Sequence, residues 1–396
     1  ARSAAAPAPV PVPGSGGAAS GNAFNPGLSL ILQGAYRNAS QNPQTRSITG
    51  FAPAGAIELP RRGFSLDESE ITVSANVDHL FYGEATFALE DGNINAEEAF
   101  IQTLALGHGL TLKGGRFFSG IGYLNPLHPH AWDFADASLP QRVFFGGNLG
   151  MDGLQATWIA PLPLFVELGA EIGMPVEYPF ADSDRNKNGL SGGSLFAHVG
   201  GDIGASSSYR VGGWYMKAQN RVDGVSLLDF DQRFGGTSTL SGGNTGMWGL
   251  DFVWKWAPDG NAKERNFKLV AEWMQRRQDG AMTTDLGGAV DSGAFKATQS
   301  GWYVQGVYQF DPQWRFGLRY DQLDDGRYNL AANLGGLVAP ADFAPKRLSA
   351  MVDWNPSEFT RVRLQYNHDR SEDGVSDDQI FLQYIFSLGA HGAHRF

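Results

Sequence analysis

The feature that most constrains this chain is an alternation of apolar and polar residues with a period of two, renewed about sixteen times between residues 28 and 388. In 246–256, Trp248, Leu250, Phe252, Trp254 and Trp256 share one face, with Asp251 and Lys255 on the other. In 314–321, Trp314, Phe316, Leu318 and Tyr320 alternate with Arg315, Arg319 and Asp321; in 360–367, Val362, Leu364 and Tyr366 alternate with Arg361, Arg363, Gln365 and Asn367. Tyr384, Phe386 and Leu388 repeat the pattern near the end. That period belongs to a β-strand with one apolar and one polar face. Strands are therefore expected near 28–38, 65–77, 80–90, 95–106, 110–119, 151–160, 164–173, 193–204, 208–219, 245–257, 265–277, 298–310, 314–323, 346–354, 360–370 and 378–388.

The connections between them sort into two kinds. After even-numbered strands they are short, as at Asp78-His79, Gly107-His108-Gly109 and Asp311-Pro312-Gln313. After odd-numbered strands they are mostly long, near 39–64, 120–150, 174–192, 220–244, 278–297 and 324–345, with 91–94 and 371–377 as exceptions. Short and long connections in near-regular succession, over an even number of antiparallel strands, describe an all-β transmembrane barrel of about 16 strands, within a range of 14–18, with periplasmic turns and extracellular loops. The competing architecture is a water-soluble sandwich, which buries its aromatic faces against each other and has no reason to obey this rhythm. Closure of a barrel also removes the exposed sheet edge. Trp248, Trp254, Trp256, Trp302, Trp314 and Trp354 fall near strand ends, as interfacial girdles require.

Composition agrees. Only 18% of residues are charged, against about 25% in an ordinary soluble domain. Glycine numbers 52 of 396, and aromatic residues make 12%, so the glycine does not mark a disordered chain. A formal charge of -11 excludes the basic face of a nucleic-acid binder. There are no cysteines, hence no disulfides, thiolate metal sites or cysteine nucleophiles. Residues 1–26, rich in Ala, Pro, Gly and Ser, read as a periplasmic tail, disordered or docked to a partner, and 27–396 as the barrel. The opening Ala-Arg-Ser-Ala reads as a mature end left by signal-peptide removal.

Several segments resemble a proteobacterial outer-membrane family: Gly63-Phe-Ser-Leu-Asp-Glu-Ser-Glu70, Gly115-Arg-Phe-Phe-Ser-Gly-Ile-Gly-Tyr-Leu-Asn125, Ala131-Trp-Asp-Phe134, Ser300-Gly-Trp-Tyr-Val-Gln-Gly-Val-Tyr-Gln-Phe310 and Ser387-Leu-Gly-Ala-His-Gly-Ala-His394. Its members are often labelled zinc-regulated TonB-dependent outer membrane receptors. A TonB-dependent transporter carries a separate plug inside a 22-stranded barrel, which a 26-residue tail is too short to form, so the resemblance implies a plugless, porin-like barrel. It also implies a connection with zinc. Phe396, in register with Tyr384, Phe386 and Leu388, resembles the C-terminal signal read by the outer-membrane insertion machinery.

If the apolar faces meet lipid, the opposite parity lines the lumen. Arg315, Arg319, Arg347, Arg361, Arg363 and Lys268 then form a basic ladder on one wall, joined by Asp251, Asp321, Asp353 and Glu272, with Glu70 and Glu84 inward elsewhere. Such mixed charge is either the ordinary solvated lining of a pore or a transverse field that selects solutes. The 120–150 connection follows the fifth strand and is apolar enough to pack on the barrel wall, so it is expected to form the constriction, presenting His128, His130, Trp132, Asp133 and Asp136. His128 and His130 offer two ligands to a weak zinc site; Pro129 between them is stiff, no third ligand is identifiable, and a histidine pair satisfied by backbone and water is the plainer reading. Aspartates in the outer loops, including Asp182, Asp184, Asp223, Asp279, Asp285, Asp324 and Asp325, describe an acidic mouth, although Asp279-Gly280, Asp325-Gly326 and Asp373-Gly374 also read as turn chemistry.

The expected function is passive diffusion of small hydrophilic solutes or ions across the outer membrane of a Gram-negative bacterium, in contact with lipid and lipopolysaccharide, with homotrimeric assembly in keeping with porins of this size. The alternative is a plugged or scaffold barrel that holds a periplasmic or surface partner through its lumen or residues 1–26. No enzyme is expected: His368 has lipid-facing parity beside Arg370 and Ser371, but neighbouring strands place no serine within clear reach. No resident cofactor is expected beyond the weak zinc pair.

Overall fold

The structure, a computed structural model, describes residues 26–51, 61–90, 92–176, 188–219, 225–227, 237–286, 288–334 and 343–389. Sixteen antiparallel strands follow one another in chain order. They are β1 (Gly27–Ala39), β2 (Gly63–Leu66, continued by Ser69–Asn76), β3 (Phe81–Glu90), β4 (Asn93–Thr103), β5 (Leu110–Phe118), β6 (Gly150–Ile159), β7 (Phe165–Pro175) and β8 (Gly192–Ile203). The second half comprises β9 (Ser207–Gln219), β10 (Asn244–Trp256), β11 (Asn266–Leu286), β12 (Ala289–Asp311), β13 (Trp314–Leu330), β14 (Lys346–Ser357), β15 (Thr360–Arg370) and β16 (Asp377–Gly389). Between β9 and β10, the short segments Val225–Leu227 and Thr237–Ser241 pair with each other, and the second also pairs with the upper part of β11.

The sheet closes on itself. β1 pairs with β16 from Ser29 opposite Gly389 to Ala39 opposite Gln379, so the barrel wall closes without a free edge between its first and last strands. The alternation that the sequence shows is the alternation of environment. Along β16, Ile380, Leu382, Tyr384, Phe386 and Leu388 are exposed on the outside, whereas Gln379, Phe381, Gln383, Ile385 and Ser387 are buried inside. Leu250, Leu318, Leu348 and Leu364 continue the outer apolar surface around the barrel. A barrel in water would place these side chains inward; in a bilayer they meet acyl chains, while the backbone groups of paired strands bond to one another across the closed sheet. Trp248, Trp302, Trp314 and Trp354 are all exposed on that surface, and the Trp314 and Trp354 rings stack at 6.3 Å between centroids.

Two expected loops are shorter than their polar composition implied. Residues 278–297 are not a loop: β11 and β12 continue pairing to Leu286 opposite Ala289, and Asp279-Gly280 is no turn, because Asp279 faces Lys296 across the ladder. Polar strand residues are tolerated there since the hairpin is stabilised by its own cluster, Met282, Phe295, Ala297 and Leu334. The 324–345 loop likewise begins only after Leu330, and Gly326 (φ 71°) sits in a bulged stretch where Asp324 accepts a hydrogen bond from its amide. The tail up to residue 25, the C-terminal His391, His394 and Phe396, and the acidic run around Asp182, Asp184 and Asp223 lie outside the described residues.

Candidate functional site

The 119–149 connection folds back into the barrel. It begins at Ser119, whose hydroxyl donates to Glu171 of β7 at 2.5 Å, with the Gly120 amide on the same carboxylate at 2.8 Å. It then passes Glu272 of β11, which accepts from the Tyr123 amide at 2.6 Å. Gly122 is required at this step: its φ is +68°, and a Cβ there would stand 2.5 Å from the Glu272 carboxylate. The two ends of the connection are tied by Asn125, whose amide nitrogen reaches the carbonyls of Ser119 and Leu149 and whose oxygen accepts from the Leu149 amide.

A helix of about two turns, α1 (Leu139–Phe145), sits in the later part of the connection. Ser138 caps it by accepting from the Gln141 amide, Pro140 occupies the first turn, and Gly146 at φ 75° ends it. All seven residues are buried, an unusual condition for so short a helix. The reason lies opposite: Leu139, Val143, Phe144, Phe145 and Leu149 pack with Phe196, Trp214, Met216, Met247, Met274 and Leu323, which point inward from β8–β11 and β13. The lumen beside α1 is here filled by an apolar core. At about 1.5–3 kcal/mol for each large side chain removed from water, four such residues of α1 hold the connection by roughly 6–12 kcal/mol as an upper bound.

Charges fasten the rest. Asp136 accepts from Arg319 at 2.7 Å, Arg347 at 2.8 Å, Gln365 at 2.8 Å and Asn367 at 3.0 Å, drawing together β13, β14 and β15. Asp133 meets Lys268 at 2.8 Å and Arg315 at 3.6 Å. The backbone carbonyl of Trp132 accepts from Arg363 at 3.1 Å, and that of His130 from Arg361 at 3.3 Å. Burial alone raises the pKa of a carboxylate, but Arg347 and Arg319 hold Asp136 well below the usual range, and Lys268 and Arg315 hold Asp133 down.

All ten charged residues expected to line the pore point inward, yet they are not left bare to water. Arg319, Arg347, Arg363, Asp251, Asp321, Asp353 and Glu272 are buried; Arg315, Arg361 and Lys268 are mostly so. The basic ladder is neutralised by Asp133 and Asp136 of the inserted connection and by wall carboxylates, with Asp353 facing Arg315, Arg361 and Arg363, and Asp321 facing Arg319 and Arg347. Buried cations demand such partners, because desolvating an unpaired charge is costly. Asp251 is paired with Arg210 of β9 at 3.0 Å.

The two histidine side chains face the β2–β4 wall. Nδ1 of His130 is 2.6 Å from Glu70, and His128 has its Nε2 3.0 Å from Glu98 and its Nδ1 3.3 Å from carboxylate oxygens of both Glu70 and Glu97. Burial opposes a proton on His128, but Glu70, Glu97 and Glu98 together raise its pKa well above the ordinary value. The plain reading of a histidine pair satisfied by backbone and water therefore gives way to a carboxylate cluster. Glu68, Glu97 and Glu98 escaped the parity argument because both of their strands break period two. Glu97 is the extra residue of a β-bulge, Thr86 pairing with Glu98 and Phe87 with Ala96; Glu68 lies in the interruption between Leu66 and Ser69.

Beside the inserted connection remains a cavity of about 700 Å³, lined by Glu68, Glu97 and Arg116 on the β2–β5 side and by Trp132, Arg142 and Asn148 on the connection. Arg116 is held bidentately by Asp152, at 2.7 and 3.0 Å.

No family model matches the chain. A protein of Aquifex aeolicus described as uncharacterized is 29% identical over 402 residues, spanning 94% of this chain and 80% of that protein. Among solved structures, the outer membrane channel DcaP of Acinetobacter baumannii superposes with a TM-score of 0.54 at 14% identity, over 92% of this chain and 97% of that one. An anion-selective porin from Comamonas acidovorans gives 0.53 at 10% identity, over 92% and 99%, and a loop-deletion variant of OmpT, an outer membrane protein of Vibrio cholerae, gives 0.53 at 10%, over 93% and 100%. The chain has the closed sixteen-stranded fold of Gram-negative outer-membrane proteins.

Proposed function

We propose that the protein is a porin-like channel through which small hydrophilic solutes or ions diffuse passively across the outer membrane, with a preference for cations. The observation that carries this reading is the cavity of about 700 Å³ left between the fastened connection and the β2–β5 wall. Its charge sets the sign of the preference. The arginines of β13–β15 and Arg142 lie against Asp136, Asp321 and Asp353, and Arg116 against Asp152, whereas on the other side the four carboxylates of Glu68, Glu70, Glu97 and Glu98 outnumber the single imidazole of His128 among them. A low-dielectric wall concentrates the field of such charges on permeating ions.

Catalysis forms no part of this reading: Nδ1 of His368 rests 2.9 Å from Asp378, and Ser371 is buried with its amide on Asp369. A homotrimer joined through part of the apolar outer surface goes with it, and crosslinking in detergent tests that assembly. The main test is conductance in planar lipid bilayers under a potassium chloride gradient. Stable steps with a reversal potential on the cation side are expected. Silence with folded, inserted protein overturns the reading in favour of a plugged scaffold barrel.

A further inference from the structure

The carboxylates around His128 are arranged for more than an ion pair. Glu68, Glu70, Glu97 and His128 each offer one ligand atom, and these atoms lie within 4.8 Å of one another. Nδ1 of His128 and Oε2 of Glu97 are buried, 3.3 Å apart, and neither makes a hydrogen bond. Buried polar atoms are ordinarily bonded, so the two together mark a place where something polar is meant to sit.

The surroundings point to a metal ion. Nε2 of His128 is 3.0 Å from Glu98, which orients the ring and turns Nδ1 toward Glu70 and Glu97, where a metal ion would take the place of the Nδ1 proton. A carboxylate behind an imidazole, fixing its tautomer, is the usual outer support of a metal-binding histidine. Glu70 is positioned in the same manner, one oxygen on His130 at 2.6 Å and the other turned to His128. The two strand irregularities supply the remaining ligands, the bulge delivering Glu97 and the break in β2 delivering Glu68. Bulges recur where a strand must re-aim a side chain. Four carboxylates gathered here repel one another, and a dication relieves that repulsion. Three oxygens and one imidazole nitrogen suit a borderline cation such as zinc better than calcium, which takes six to eight oxygens. Glu68 and Glu97 open on the cavity, so the ion has a route in.

We propose that Glu68, Glu70, Glu97 and His128 bind one divalent cation of the zinc class in the wall of the constriction, with Glu98 and His130 as positioning residues. His130, one of the two ligands expected from the sequence, is thereby assigned to Glu70 and not to the metal. The site does not rest on conduction, since binding is measured on the full chain in detergent micelles.

Zinc is titrated calorimetrically into the folded protein, and cobalt serves as a spectroscopic probe of the ligand set. The expected result is one ion per chain, with a visible cobalt spectrum that zinc displaces. His128→Gln and Glu97→Gln each weaken zinc binding at least about tenfold and alter the cobalt spectrum; the loss matches that seen on removing one ligand or its outer support elsewhere. His198→Gln, which changes a histidine paired with Glu167 on the neighbouring wall, leaves both readouts intact. Heat-modifiable migration on gels establishes that each variant is folded, and Glu97→Gln, isosteric and facing the cavity, is the safest of them. Saturation well below one ion per chain, or equal binding by wild type, His128→Gln and Glu97→Gln, overturns the assignment.

Discussion

Asp136→Asn probes what the inserted connection does for the lumen. The carboxylate accepts four hydrogen bonds and lies within 4 Å of the Arg319, Arg347 and Arg142 guanidinium groups. The amide keeps the shape but removes the charge, and its NH2 faces a guanidinium in either orientation. Arg319 and Arg347 are then left to share Asp321, at 3.3 and 3.0 Å. Breaking one side of a buried pair costs about 3–5 kcal/mol, or roughly two to three and a half decades in the local equilibrium at about 1.4 kcal/mol per decade. That is less than the roughly 6–12 kcal/mol upper bound for burying the apolar side chains of α1. The helix should therefore stay seated while the 131–137 segment loosens and uncovers two arginines. The expected outcome is a shift of the reversal potential toward anions, with faster hydrogen exchange confined to 131–137. An unchanged reversal potential with unchanged exchange refutes the view that Asp136 both fastens the connection and cancels the basic wall.

Three further outcomes follow from the same structure. The raised pKa of His128 means that its ionic attachment to Glu70, Glu97 and Glu98 is present below its ordinary value of 6.5 and is lost as pH rises through the elevated one, whereas that of Asp136, held low, persists above 3.8 and fails only in strong acid; protease sensitivity of the 126–131 stretch should accordingly increase at alkaline pH while 133–137 stays protected. Phe144→Ala removes a fully buried ring that stacks under Arg276 and should destabilise the seated connection by about 3–5 kcal/mol, visible as early loss of tryptophan fluorescence in urea with the barrel still intact. Leu364→Arg places a charge on the lipid face and should lower the folding free energy in bilayers by about 2–4 kcal/mol if Leu364 is near the midplane, with little effect on conductance; a neutral result would contradict the outward assignment of that face.

How much of this was legible beforehand depends on whether the information was local. The alternation of Trp248, Leu250 and Phe252, or of Leu382, Tyr384 and Phe386, is a property of neighbouring residues, and it assigns strands, faces, the barrel and the bilayer without any partner being known. The same parity placed Arg319, Arg347 and Arg363 inward. It could not say that they meet Asp136 and the Trp132 carbonyl, because those contacts join residues 183, 211 and 231 positions apart. It also misdirects wherever the period slips. Glu97 reaches the lumen beside Glu98 only because a bulge adds one residue to its strand, and Glu68 does so from a break, so the surroundings of His128 came into being with the tertiary structure. Side-chain direction is written in the chain's own period; which charges neutralise one another is decided when the barrel closes and the connection folds into it.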